Sequence, residues 1–224
     1  MNMTRIVGVS LIVLTVLFFL AIPNPDKTNN MEGSSIDLPW NIKLHADGST
    51  EVFKLRLGMS SLSDAIERFH EPEDIAIYKG NHRQSLEAYF GTISLGPLKA
   101  KLIATLEASD DEIHAMLEKA TGLALSSGAD KKIELSAADK QNALQRKLTG
   151  LTFIPKYSGL TADFFKQRLG EPQAWLRLSE NAVQYFYPDK GLSIAIDSDG
   201  KEVMEYRLPA DFKVPEQATL EAVQ

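Results

Sequence analysis

The chain has 224 residues, a formal net charge of −6 and no cysteine. The acidic balance indicates a protein that does not bind nucleic acid, because such a surface needs clustered positive charge. Without cysteine the chain cannot form a disulfide, a thiol nucleophile, a cysteine-bound zinc site or a lipid-modified N-terminal cysteine.

The N-terminal segment is strongly apolar. Residues 6–23 read IVGVSLIVLTVLFFLAIP and carry no charge. A helix of this length spans about 27 Å, which is enough to cross the hydrocarbon core of a bilayer. A cleavable secretory signal is the alternative, but the segment does not end in the small residues that a signal peptidase needs. Residues 1–23 are therefore predicted to form a membrane anchor.

Arg5, before the apolar segment, favours a cytoplasmic N-terminus under the positive-inside rule. The expected protein is thus a single-pass protein of the inner (cytoplasmic) membrane, with its soluble region in the periplasm. The membrane is its first predicted partner. Residues 24–35, NPDKTNNMEGSS, are rich in turn formers and are predicted to be a linker.

The segment after the linker has strand patterns on both sides of a short helix. Residues 40–45 and 50–57 alternate polar and apolar side chains, and the ADGS sequence between them predicts a hairpin turn. Ser61 and Asp64 form a capping pattern for a helix that Pro72 ends. Three further strands are predicted at residues 75–79, 85–91 and 98–106.

Two helices are predicted between the halves of this region. The first, at residues 110–121, has a capping box at Ser109 and Glu112 and an apolar stripe along one side. The second, at residues 137–148, begins after Ser136.

The second half repeats the order of the first. A strand at residues 151–157 precedes a helix at 161–169, and four strands follow. These four strands are predicted at residues 174–178, 182–187, 192–197 and 202–208. Residues 211–224 are predicted to be a flexible tail.

Glycine and proline mark the helix boundaries in both halves, at Gly58 and Pro72 and again at Gly159, Gly170 and Pro172. Glycine allows the turn from strand into helix, and proline prevents the helix from continuing. This repetition predicts a tandem duplication. The predicted fold is α+β, with an N-terminal transmembrane helix followed by two tandem strand–helix–antiparallel-sheet repeats. The predicted boundaries are 36–108 for the first repeat, 109–150 for a helical connection and 151–210 for the second repeat.

The second half carries G-L-T at residues 159–161 and L-G-E-P at 169–172, followed by a Tyr/Phe strand and an Asp-Gly turn. Over residues 151–208 this pattern resembles the SmpA/OmlA (BamE-like) domain of small outer-membrane assembly lipoproteins. The first half matches less well, and a tandem of such units is similar to the secreted β-lactamase-inhibitor proteins. The resemblance implies a small α+β fold and a role in the cell envelope.

No pattern of residues indicates catalysis. The four histidines have no metal-binding spacing, and the sequence contains neither a G-x-S-x-G elbow nor a phosphate-binding glycine loop. Consecutive carboxylates at residues 110–112 fit a helix N-terminus, where the backbone dipole favours negative charge. The chain is therefore predicted not to be an enzyme, with no catalytic residue, no metal and no cofactor. The histidines are His45, His70, His82 and His114.

Aromatic residues on the predicted strands are the candidate interface. Neighbours on a strand face opposite sides, so Tyr185 and Tyr187 share one face and Phe186 lies on the other. Tyrosine is common at protein interfaces. The predicted function is a membrane-anchored, non-catalytic protein-binding module of the bacterial cell envelope, with a protein partner. The alternatives are a periplasmic inhibitor or regulator of an enzyme, and a lipid or small-ligand binder between the repeats. The candidate interface residues are Tyr78, Tyr89, Trp175, Tyr185 and Tyr187.

Overall fold

The computed structural model describes residues 37–80, 84–120, 125–127, 130–198 and 201–220. The predicted anchor at 1–23 and the linker at 24–35 lie outside these ranges. Across the described ranges no helix has both the length and the apolar character needed to cross a bilayer. This finding corrects the predicted transmembrane architecture and the assignment to the inner membrane, neither of which the structure supports.

The described chain is built mainly from β-strands. In chain order, β1, β2 and β3 form a small N-terminal sheet, and helices α1 to α4 are interspersed among the remaining strands. The strands are β1 (Lys43–Leu44), β2 (Thr50–Val52), β3 (Leu55–Arg56), β4 (Asp74–Lys79), β5 (Gln84–Leu95), β6 (Leu98–Leu106), β7 (Leu125–Ser127), β8 (Asp130–Glu134), β9 (Leu148–Pro155), β10 (Ala174–Arg177), β11 (Ala182–Tyr187), β12 (Leu192–Asp197), β13 (Lys201–Arg207) and β14 (Thr219–Leu220). The helices are α1 (Leu62–Arg68), α2 (Asp110–Glu118), α3 (Ala137–Ala143) and α4 (Ala162–Leu169).

Eleven strands join in one sheet, in the order β14-β10-β11-β12-β13-β9-β6-β5-β4-β8-β7. Every pairing in it is antiparallel. Strands β6 and β9 pair at the centre, so strands from the two halves of the chain are hydrogen-bonded to each other. The predicted fold of two α+β repeats is therefore wrong, because the strands form one continuous sheet in a mainly β protein. The predicted domain boundaries stay a prediction.

One face of the large sheet, the helix face, carries the main hydrophobic core. Leu102, Phe153 and Met204 from three central strands lie in this core. All four helices contribute side chains to it, because each is too short to be stable without packing its apolar stripe on a sheet. The contributing helix residues are Leu62, Ala65, Ile113, Met116, Ala143, Phe165 and Leu169.

The opposite face, here called the groove face, holds a smaller apolar cluster and many polar side chains. Tyr78, Tyr89, Ile103 and Ile154 are members of that cluster. Because side chains alternate along a strand, these residues sit one position away from residues of the helix face.

The small N-terminal sheet contributes the aromatic ring of Phe53 to the main core. Phe53 is 1% exposed and has a positive φ of 56°, as part of the tight turn between β2 and β3. Its ring lies 5.4 Å from Phe153, 5.8 Å from Tyr206 and 6.1 Å from Phe69, measured between ring centroids. This sheet therefore closes the helix face between the two halves of the chain.

Local signals in the sequence locate the helix starts correctly. Ser61 and Ser109 each form a complete capping box, and Thr161 caps α4 by accepting a hydrogen bond from the backbone of Phe164. The predicted boundary glycines also have positive φ angles, of 78° at Gly58, 96° at Gly159 and 85° at Gly170. The two prolines follow helices: Pro72 comes after α1, and Pro172 after α4, where it is buried.

The segment after β13 crosses the groove face. It leaves the centre of the sheet at Leu208 and ends at β14, which pairs with the outer edge of β10. On the way Phe212 contacts Phe186, with ring centroids 6.4 Å apart. We call residues 209–220 the C-terminal arm. Residues 211–220 of the predicted tail thus belong to this arm, and 221–224 lie outside the described residues.

Candidate binding groove

A groove of about 640 Å³ runs along the groove face. Its floor is formed by the central strands β6, β9 and β13, where Thr105, Gly150 and Thr152 lie. Gly150 has no side chain, and a Cβ built there would come within 3.0 Å of the Tyr206 carbonyl oxygen. The C-terminal arm forms one wall through Phe212 and its neighbours. The groove thus lies where strands from the two halves of the chain meet.

A buried polar network lines the side of the groove next to the arm. The Gln184 Nε2 donates to Ser193 Oγ at 3.2 Å, and Ser193 Oγ donates to Glu205 Oε2 at 3.4 Å. These side chains come from β11, β12 and β13, and the register of those strands places them on the same face. Gln184 and Ser193 are 4% exposed and Glu205 is 6% exposed. Arg207 Nη2 lies 4.0 Å from Glu205 Oε2, at the outer limit of an ion pair.

A second buried carboxylate lies across the floor, on β5. Ser85 Oγ donates to Glu87 Oε1 at 2.6 Å, and Glu87 is 8% exposed. Tyr78 on β4 lines the groove beside them. Burial, together with the nearby charges of Asp74 and Glu87, raises the pKa of the Tyr78 hydroxyl far above its ordinary value. Tyr78 is therefore a neutral hydrogen-bonding group at any physiological pH.

The structure divides the five aromatic interface candidates between the two faces of the sheet. Tyr78 lines the groove, and Tyr89 is buried on the same face. The strand register places Trp175 beside Tyr185 on the helix face. Tyr187 is 2% exposed in the main core, and Tyr185 packs against that core. As the alternation predicts, Tyr185 and Tyr187 share a face. That face is the one covered by helices.

The sequence interpretation missed the polar residues of the groove. A detectable signal exists at Gln184, Ser193 and Glu87, because each interrupts a strand whose other residues are mostly apolar. Glu205 gives no such signal, because its strand has three other charged residues. A polar residue in such a strand marks the face turned away from the main core. The pattern does not reveal that these strands are neighbours in the sheet.

The histidines in the described ranges lie far from one another along the chain and outside the groove lining. His45 bonds to Glu51 at 2.7 Å, His70 Nδ1 donates to the Glu71 carbonyl oxygen at 2.6 Å, and His114 lies 3.8 Å from Glu118. His82 lies outside the described residues. Within the described part of the chain, no three potential metal ligands form a cluster.

Comparison of the chain with known proteins gives no relative. No family model, no curated protein and no solved structure matches it. Nothing in these comparisons identifies an SmpA/OmlA domain. The resemblance noted in the sequence therefore stays a hypothesis, and the groove has to be interpreted from its own residues.

Proposed function

We propose that this chain is a non-catalytic protein-binding module and that the groove is its binding site. The observation that carries the proposal is the buried polar lining, with Glu87 on one side of the floor and Gln184, Ser193 and Glu205 on the other. Burying polar groups costs free energy unless they are hydrogen-bonded, so a protein keeps them in a concave surface when they have a use there.

The composition of the lining fits a protein partner better than a lipid. Aromatic side chains, Tyr78 and Phe212, border hydroxyl and carboxylate groups. Protein interfaces combine such aromatic anchors with hydrogen-bonding groups around them. A lipid tail would bring no donor to the Gln184 Oε1 acceptor and would remove water from the carboxylates of the lining, which is costly.

Site-specific photo-crosslinking in the cells that make the protein tests this proposal. A photoreactive residue replaces Thr152 on the groove floor of the full chain, and in a control it replaces Gln167 on the exposed side of α4. We expect a discrete protein adduct from position 152 that is absent from position 167. Equal adduct patterns from both positions would refute the groove as the binding site.

A small polar ligand is the second candidate, because the volume of about 640 Å³ lies within the usual range of ligand pockets. The groove also lies where strands of the two halves meet. Native mass spectrometry of the purified chain distinguishes this candidate. A bound small molecule that is lost when Thr152→Trp fills the floor would favour it. An enzyme as the crosslinked protein, with activity that falls on binding, would favour the inhibitor alternative.

A further inference from the structure

The orientation of the Gln184 amide follows from its neighbours. Ser193 has a single hydroxyl proton, which it donates to Glu205, so towards Gln184 it can only accept. Gln184 must therefore present its NH₂ group to Ser193. Its Oε1 atom is left as a buried acceptor with no hydrogen-bond partner in the part of the chain that the structure describes.

The two sides of the groove share the same arrangement. On each side a serine donates to a glutamate that is at least nine-tenths buried, Ser193 to Glu205 and Ser85 to Glu87. The serine protons are used within these pairs, so what each pair can offer to a ligand is acceptors. Four carboxylates line the groove against two cations, and one of these cations, Arg207, is 4.0 Å from Glu205.

A ligand that completes this site has to supply donors and positive charge. Ammonium and guanidinium groups have donors and no acceptor, and their hydrogen bonds to carboxylates are stronger than neutral ones. Such a group would give Gln184 Oε1 its missing donor while it lies beside the Glu205 carboxylate. Strand β12 lies between β11 and β13, and Ser193 on it bridges Gln184 and Glu205. A long basic side chain would therefore approach both residues from the groove, above Ser193.

We propose that the groove binds a basic segment of a partner protein, with a lysine or arginine side chain lying over Ser193 and facing both Gln184 Oε1 and the Glu205 carboxylate. This proposal rests on the proposed function and names the chemistry of the partner. The acidic lining would also exclude acidic segments, since like charges brought together in a groove repel one another.

Titration of the full chain with blocked alanine pentapeptides tests the inference. The probes carry a central arginine or lysine, and the matched control carries norleucine, which has the lysine stem without the charge. Chemical shifts of the Gln184, Ser193 and Glu205 amides report binding. We expect saturable shifts with the basic peptides, weaker binding at higher salt, and no saturable shift with norleucine.

Isosteric variants test whether binding of the basic peptides depends on the groove residues Glu205 and Gln184. Glu205→Gln should weaken binding of the arginine peptide at least about fivefold, as expected for a charge-assisted hydrogen bond reduced to a neutral one. Glu180→Gln, in the exposed turn before β11, should leave binding unchanged. If Glu205→Gln does not fold, Gln184→Met removes the amide acceptor and should weaken binding in the same way.

Two results would overturn the inference. One is a norleucine peptide that shifts the same amides as strongly as the basic peptides. The other is a basic peptide that leaves them unmoved. If either occurs while position 152 still crosslinks a protein, the protein-binding function stands and only the basic chemistry of the partner is wrong.

Discussion

Two tyrosine hydroxyls near the main core have opposite hydrogen-bonding situations. Tyr206 is fully buried and donates to the Pro39 carbonyl oxygen at 2.6 Å, which connects the centre of the sheet to the N-terminal end of the described chain. The Tyr157 hydroxyl is also buried, but it has no hydrogen-bond partner among the described residues. Burial raises the pKa of Tyr157 to about 12 and the pKa of Tyr206 well above its ordinary value, so both groups are neutral when folded.

Removal of these hydroxyls should therefore have different effects. Tyr206→Phe leaves the Pro39 carbonyl without its donor and should lower the free energy of unfolding by about 1–3 kcal/mol. Tyr157→Phe removes a polar atom that gains nothing from its surroundings, so its effect should lie within about 0.5 kcal/mol of zero or be stabilising. Urea denaturation of both variants and the parent measures this. A larger loss in Tyr157→Phe than in Tyr206→Phe would contradict the contacts described.

The buried carboxyl of Glu202 should make stability depend on pH. Burial raises its pKa, and hydrogen bonds from its own backbone N–H and that of Leu160 oppose this in part. Glutamate is therefore more easily protonated in the folded chain than in the unfolded one. Its stabilising contribution is complete below the unfolded pKa and is lost as the pH rises through the raised folded pKa.

Glu202→Gln keeps the shape and the acceptor of the protonated acid but cannot ionise. The variant should have nearly the same Tm as the parent at about pH 4 and a higher Tm than the parent at about pH 8. Thermal unfolding across this range measures the difference, and effects of other titrating groups cancel because both proteins share them. A Tm difference that is constant with pH would show that Glu202 does not titrate in the folded chain.

The turn between β11 and β12 lies against the end of β13, and this contact requires glycine in the turn. Gly191, between β11 and β12, has a φ of 62°, and a Cβ there would collide with the Arg207 carbonyl oxygen. Gly159, before α4, also has a positive φ, but a Cβ there would meet nothing within 4 Å. Only the first glycine is needed for a close approach of two backbones.

Alanine substitutions at these two glycines should distinguish the effect of backbone strain on stability from the effect of a steric clash. Gly159→Ala should lower the free energy of unfolding by about 1–2 kcal/mol, because an L-residue is strained in the left-handed conformation. Gly191→Ala carries the same cost, and in addition the backbone of β13 must shift, so its loss should clearly exceed that value. Equilibrium denaturation measures both losses. Equal losses would mean that the β11–β12 turn can move away from Arg207.

Most strands and helices of the described chain were predictable to within a few residues. The predicted bounds of β6, β11 and β12 match the structure, and α2 starts where its capping box places it. These signals act between residues close in sequence, through side-chain alternation and side-chain caps. Strands β7 and β8 were missed, because a short polar segment such as DKKIE becomes a strand only by pairing with the edge of β4.

One core shared by both halves of the sequence predicts cooperative unfolding. The main core contains Leu102 from the first half and Phe153 and Met204 from the second, and β6 pairs with β9. Neither half can keep its core without the other, so we expect a single two-state transition. Calorimetry measures this through the ratio of calorimetric to van't Hoff enthalpy, expected near one. Two separate transitions would favour independent repeats.

The C-terminal arm should be the first part of the described structure to open. It contacts the sheet through Phe212 on Phe186 and through two residue pairs between β14 and β10. Phe212→Ala should weaken docking of the arm by about 1 kcal/mol and speed amide exchange about fivefold in the arm and at Gln184. Hydrogen exchange measures this, with Glu216→Ala, an exposed arm residue, as the control. Unchanged exchange in Phe212→Ala would show that the ring contact does not hold the arm.

The sequence alone determined where most helices and strands of the described chain lie, because caps, turns and alternation depend on neighbouring residues. Only the tertiary structure decided that the strands form one sheet, since pairs such as β6–β9 join segments that no local pattern connects. It also decided which face of each strand meets the helices. Alternation places Tyr185 and Tyr187 on one face and Gln184 on the other. Which of these faces is buried under helices and which lines a groove depends on what packs against the sheet.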